Sequence, residues 1–147
     1  MAQVTSRTQR TIDAPADRVR AALADYESVR PTILTDHYSD YRVEAGGHGT
    51  GSRVHWKLQA TKKRVRDQLV EVSVPAEDRI VERDTNSSMV TTWTITPQGD
   101  DRSVVAVETT WDGAGGIGGF FERTFAPKGL QRIHDGLLSN LVGAVRD

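Results

Sequence analysis

Two periods divide the chain. Apolar positions recur at every second residue through its middle, and at spacings of three and four near the start and along the end. Val4 to Ile12 alternates weakly, is rich in threonine and predicts a first strand. The next stretch, IDAPADRVRAALADYESV, places Val19, Ala22, Leu23 and Tyr26 on one helical face. Pro15 suits the first helical position, where its missing N–H is not needed. Asp17 falls in the first turn, where the helix dipole favours an acid. A second helical piece is expected between Ser28 and Leu34, with Pro31 limiting its start.

From there the period is two. Strands are predicted over Asp36–Glu44, Arg53–Leu58, Arg64–Val74, Arg79–Arg83, Met89–Thr96 and Val104–Trp111. Val54, Trp56 and Leu58 share one phase; Arg53, His55 and Lys57 share the other. Val70, Val72 and Val74 are in phase with Arg66 and Gln68, and Pro75 is expected to end that strand. Met89, Thr91, Trp93 and Ile95 align, as do Val105, Val107, Thr109 and Trp111. Strands at this spacing, with short turns and no helix between them, imply an antiparallel meander with one covered face. The cover is the last segment, Phe120 to Asp147. Its apolar positions Phe121, Phe125, Leu130, Ile133, Leu137, Leu138, Leu141 and Val145 form a broad helical stripe, which Pro127 should kink or restart. No linker or internal repeat interrupts the pattern, so residues 1–147 are read as a single domain.

Gly113-Ala114-Gly115-Gly116-Ile117-Gly118 matches the spacing G-x-G-x-x-G of dinucleotide-binding loops. Such a loop needs a parallel strand after its helix. Only 29 residues follow Gly118, all with helical patterning, and Asp135 would sit within that helix. The glycines read instead as a connector that folds the helix back, or as a mobile lip at its end.

Composition narrows the chemistry. Nineteen basic and twenty acidic residues give a net charge of −1, which offers no strong pull on nucleic acid; the run Lys62-Lys63-Arg64-Val65-Arg66 reads as a solvated turn and strand start. There is no cysteine, hence no disulfide, thiol nucleophile or thiolate-bound zinc. The start of the chain is polar and no apolar run reaches the length of a membrane span, so a cytoplasmic location is expected. His37, His48, His55 and His134 form none of the close pairs of metal motifs, and no G-x-S-x-G occurs, so no metal or cofactor is expected. No surface is singled out for a partner, which fits a monomer or weak homodimer.

The order of elements, with TIDAPADRVRAALADYESV, GHGTGSRVHW and FFERTFAPKGLQRIHDGLLSNL, resembles the START-like SRPBCC superfamily, and in particular its polyketide cyclase/dehydrase branch. Arg20 departs from the aromatic frequent at its position, and QGDDRSVV lacks a common Gly-Thr; neither disturbs the fold. The resemblance implies an α+β helix-grip fold: a curved antiparallel sheet of about seven strands wrapped around a long C-terminal helix, with two short helices between strands 1 and 2. It also implies a ligand cavity between sheet and helix, but supplies no catalytic signature that can be laid on this chain.

The residues add walls to that cavity. Trp56, Trp93 and Trp111 fall on apolar strand phases, and Phe121, Phe125 and Tyr26 on apolar helix faces. Such rings suit a hydrophobic guest, although they equally fill ordinary cores. His134 borders the helical stripe, Arg66 and Gln68 share the phase of Val70, and Thr91 and Thr109 that of the tryptophans. The expected function is binding of a lipid, quinone or polyketide-like molecule by Trp56, Trp93, Trp111, Phe121, Phe125, His134, Arg66, Gln68 and Thr91. The alternative is a polyketide cyclase, aromatase or dehydratase using the same cavity, with His134, Arg66 and Tyr38 as its candidate acid–base groups.

Overall fold

The computed structural model describes residues 3–61, 64–112 and 127–146, without the side chains of residues 60, 61 and 64. The chain order is β1 (Gln3–Ile12), α1 (Ala16–Ala24), α2 (Arg30–Ile33), β2 (Tyr38–Ala45), β3 (Arg53–Thr61), β4 (Arg64–Ala76), β5 (Arg79–Asp84), β6 (Val90–Pro97), β7 (Ser103–Asp112) and α3 (Pro127–Ala144). The seven strands form one curved antiparallel sheet in the order β1-β7-β6-β5-β4-β3-β2, so the meander runs unbroken from β2 to β7 and β1 closes beside β7.

Period-two patterning fixes which face is covered. Trp56 pairs with Gln68 and Val54 with Val70 across β3 and β4; Ile80 pairs with Trp93 across β5 and β6; Trp93 pairs with Val107 across β6 and β7. These residues point to the concave side and join Leu130, Ile133, Leu137, Leu138 and Leu141 of α3 in one core. Curvature has local causes. The β2–β3 register shifts twice, the first time across Asp40, whose φ is 51°, and the β4–β5 register shifts between Ser73 and Ala76. That last irregularity lets β4 continue past Pro75, where the sequence predicted its end.

The helices are placed by specific contacts. Pro15 is the N-cap residue, in extended conformation, and the helix starts one residue later than predicted, at Ala16. Asp25 ends α1 and accepts from the backbone N–H groups of Glu27 and Ser28, an Asx-type turn leading into α2. α3 lies beside β1: Gln131 donates to the exposed Arg7 carbonyl, Ser6 donates to the Pro127 carbonyl, and Thr8 bonds Asp135. Asn140 donates to the Ile33 carbonyl, which pins α2 to the far part of α3. The described part of the terminal helix begins at Pro127; Phe121, Phe125 and the glycine-rich segment 113–118 lie outside the described residues. Among the described residues, no helix is long and apolar enough to cross a membrane.

The β2–β3 turn docks on the end of α1 through the bonds Tyr26 N–H to Gly47 O and Gly49 N–H to Ala24 O, at 2.8 and 3.0 Å. Gly47 has a φ of 138°, and a Cβ there would lie 2.4 Å from the Glu27 carboxylate. Gly47→Ala is therefore expected to lower unfolding free energy by about 1–3 kcal/mol. Gly143→Ala, in open space on α3, should instead stabilise by up to about 1 kcal/mol. Thermal denaturation followed by circular dichroism measures both.

Candidate functional site

The centre of the concave face is polar in a way that alternation alone does not announce. In β5 the inward phase carries Ile80, Glu82 and Asp84, and all three are buried. Glu82 faces Arg30, the first residue of α2, at 2.5 Å, with both side chains about 5% exposed. The same carboxylate accepts from the Tyr26 hydroxyl at 2.5 Å and, on its other oxygen, from Trp93 Nε1 at 3.1 Å. Arg30 also donates to the Leu23 carbonyl at 3.0 Å. Its guanidinium carbon lies 4.6 Å from the Tyr26 ring centre and 4.9 Å from that of Trp93. Stacking and forked donation of this kind suit arginine and not lysine.

Backbone geometry holds these groups in place. Arg30 N–H bonds the Asp25 carbonyl, closing the turn that began at Asp25, and the Tyr41 hydroxyl donates to the Tyr26 carbonyl at 2.5 Å. A second polar chain runs along the sheet. Trp56 Nε1 donates to Gln68 Oε1 at 2.8 Å, and the Gln68 amide reaches Asp84 and the Met89 sulfur. Asp84 is further satisfied by the Leu69 and Asn86 backbone N–H groups and the Ser87 hydroxyl.

Burial sets the protonation states. Burial opposes the charge of Arg30, but Glu82 and the nearby tyrosines outweigh it, so the guanidinium holds its proton more tightly than usual. Burial, and then the Glu82 charge, push the Tyr26 and Tyr38 hydroxyls up, which keeps both as neutral donors. His134 is 5% exposed and its ring centre is 6.2 Å from that of Trp93. Burial pushes its pKa down to about 4; Glu82 works against this shift and Arg30 adds to it. The imidazole is neutral at pH 7, and its buried Nδ1 has no hydrogen-bond partner among the described residues.

Between these groups lies a cavity of about 30 Å³, lined among others by Arg30, Tyr38, Trp56, Glu82, Trp93 and His134. Leu34, Tyr41, Leu58, Gln68, Met89, Thr91, Leu130 and Leu137 complete the described wall. Tyr41 stacks on Trp56 with centres 6.3 Å apart, and Tyr38 meets the same indole edge-on at 6.0 Å. The space has room for about two water molecules, far below the roughly 300 Å³ at which ligand pockets begin. Hollows of about 250 Å³ (beside Arg10 and Arg146) and 300 Å³ (beside Arg20 and Val74) are more open to solvent and carry no comparable buried polar cluster.

The chain matches the family described as polyketide cyclase/dehydrase and lipid transport over residues 3–146. It belongs to this family. None of the curated proteins compared with it matches. Among solved structures it is similar to the KanY protein (ms6282), with 51% identity, 99% of each chain covered and a TM-score of 0.88. Two further likenesses concern the fold alone. One is a START superfamily protein from Mycobacterium smegmatis, at 15% identity, 96% coverage of each chain and TM-score 0.72. The other is the Zhui aromatase/cyclase from Streptomyces sp. R1128, at 17% identity, covering 98% of this chain and 92% of that one, with TM-score 0.69. The START-like helix-grip architecture and the branch that the sequence resembles are thus both those of this family.

Of the candidate residues, Tyr38, Trp56, Gln68, Thr91, Trp93 and His134 meet around one cavity of this family member. Thr91 and Thr109 hydrogen-bond each other at 2.8 Å. Trp111 is buried in the core but is not among the described lining residues, because β7 carries it toward the end of the sheet where it pairs with Val4. Arg66 shares the concave phase with Leu58 yet is half-buried and not part of the described wall. His134 is not at the border of the helical stripe but inside it. Arg30, Glu82 and Tyr41 escaped the sequence reading, and Met89 was placed in phase with Trp93 but not among the site residues. The only signal for Glu82 was an acid at the second position after Ile80, in phase with it.

Glu82→Gln leaves the Arg30 cation without its counter-charge and should cost about 3–5 kcal/mol. The double variant Arg30→Met/Glu82→Gln should recover most of that loss, as chemical denaturation of both will read. His134 adds a pH dependence. Below about pH 6.5 the unfolded histidine takes up a proton that the folded one refuses until about pH 4. Stability is therefore lost as pH falls through this window, by about 3 kcal/mol for some 2.5 pH units. A His134→Phe variant lacks this loss, so its stability relative to wild type should improve by that amount between pH 7 and pH 4.

Proposed function

We propose that the protein binds a hydrophobic small molecule, such as a lipid, quinone or polyketide-like compound, between its sheet and α3. The observation that carries this reading is the buried, aromatic-walled cavity with an unpaired histidine nitrogen in its lining. Native cores leave such atoms unpaired rarely. The family's description, which includes lipid transport, agrees. A guest larger than water requires the wall to move. Leu34, Tyr38, Tyr41 and Thr91 are the half-buried lining residues, and the first three, clustered on α2–β2, are the natural mouth.

A second reading, a cyclase, aromatase or dehydratase, has its own observation: a neutral imidazole and a protonated phenol, His134 and Tyr38, share the cavity wall. One relative of this fold is an aromatase/cyclase. There His134 would accept a proton and Tyr38 would donate to a carbonyl oxygen during ring closure.

Native mass spectrometry of gently purified protein is expected to show a retained mass, and N-phenyl-1-naphthylamine fluorescence should rise and saturate on titration. A ligand-free mass with no dye response overturns the binding reading. Turnover of a poly-β-keto mimic that falls in both His134→Phe and Tyr38→Phe would establish the enzyme reading; no turnover, or turnover untouched by either change, removes it.

A further inference from the structure

The cavity's charges are already paired. Among its described lining residues Arg30 is the only lysine or arginine and Glu82 the only acid, and they lie 2.5 Å apart. Each also has further protein partners: Glu82 holds Tyr26 and Trp93, and Arg30 holds the Leu23 carbonyl. Gln68 is occupied by Trp56, Asp84 and Met89, and Thr91 by Thr109. A carboxylate or phosphate entering this space would therefore meet no uncommitted cation among the described residues. It would also lie close to the Glu82 carboxylate, and a buried anion without a partner is strongly disfavoured. What the described wall offers instead is neutral: the Tyr38 hydroxyl, and His134 Nδ1, a buried nitrogen with no partner among the described residues.

Resting on the binding reading above, we infer that the site selects an uncharged hydrophobic molecule bearing a hydroxyl group, which His134 Nδ1 engages, and rejects the corresponding carboxylate. A hydroxyl suits the neutral ring in either tautomer: it donates to a bare Nδ1 and accepts from a protonated one. A carboxylate can only accept, and brings a charge the cavity does not balance. In the unliganded protein the space of about 30 Å³ accommodates water. The guest's oxygen replaces that water's hydrogen bond while its apolar body displaces side chains at the mouth.

Three probes of one shape test this: 2-naphthol, naphthalene and 2-naphthoate, titrated at pH 7 and followed by calorimetry. The expected result is 2-naphthol binding at least tenfold more tightly than 2-naphthoate and several-fold more tightly than naphthalene. In His134→Phe the advantage over naphthalene should vanish while naphthalene binding persists. Should that variant not fold, the wild-type protein with 15N-labelled histidine serves, where 2-naphthol must shift the His134 Nδ1 resonance and naphthalene must leave it nearly unmoved. Binding of 2-naphthoate as tight as 2-naphthol, or 2-naphthol binding with an unmoved Nδ1 resonance, overturns the inference and leaves the binding reading standing. If none of the three probes binds and N-phenyl-1-naphthylamine is also silent, both fall together.

Discussion

One buried ion pair organises the interior. Arg30 and Glu82 join the short second helix to the middle of the sheet, and neither is tolerable there alone. An isolated charge in such a place would neutralise or draw water in. Here the carboxylate gathers three donors from three elements, Tyr26 after α1, Arg30 in α2 and Trp93 in β6. The orientation of both rings beside the guanidinium follows from that convergence. So do the raised hydroxyl of Tyr26 and part of the electrostatic setting of His134. Replacing the pair by well-packed apolar residues would be compatible with stability, but the centre of the cavity would lose its fixed polar floor.

Much of this was legible before the fold was known. Alternation in β3 and β6 put Trp56 and Trp93 on one face, and the register confirms that phase through Gln68 and Ile80. Thr91 and Thr109 were in phase with the tryptophans, and they meet. The stripe of α3 was read from spacing, and its core residues are those of the stripe. The failures have a common cause. Arg30 and Glu82 are charged, lie 52 residues apart, and are buried only because they meet. Burial of a charge is decided by its partner, and no local pattern states the partner. Arg66 shows the converse: correct strand phase did not bring it to the cavity wall, because the described cavity sits further along the strand, at Gln68.

Helix α3 contributes differently from the sheet. It approaches the α2–β2 connection closely at Gly136, where an added Cβ would come within 2.8 Å of a Thr35 methyl. Asn140 fastens the same region by its bond to the Ile33 carbonyl. Just before Gly136, His134 faces inward among leucines. A polar ring at that position weakens the apolar stripe, and its Nδ1 has no protein partner among the described residues.

The two walls of the cavity also differ in how they can yield. The sheet wall is cross-linked by side-chain hydrogen bonds, Trp56 to Gln68 to Asp84 and Trp93 to Glu82, besides its backbone ladder. Moving those side chains breaks buried bonds, each costing about 1–3 kcal/mol when a partner is left unsatisfied. The opposite wall is made of Leu34, Leu130 and Leu137, held by dispersion contacts that re-form after a rotamer change. On that side Leu34 can turn without breaking a hydrogen bond, whereas Tyr41, on β2, would first have to release the Tyr26 carbonyl. A guest admitted in this way would rest against a fixed indole floor and a yielding aliphatic roof. The ion pair anchors α2 to the sheet, so moving the helix itself would separate a buried charge pair.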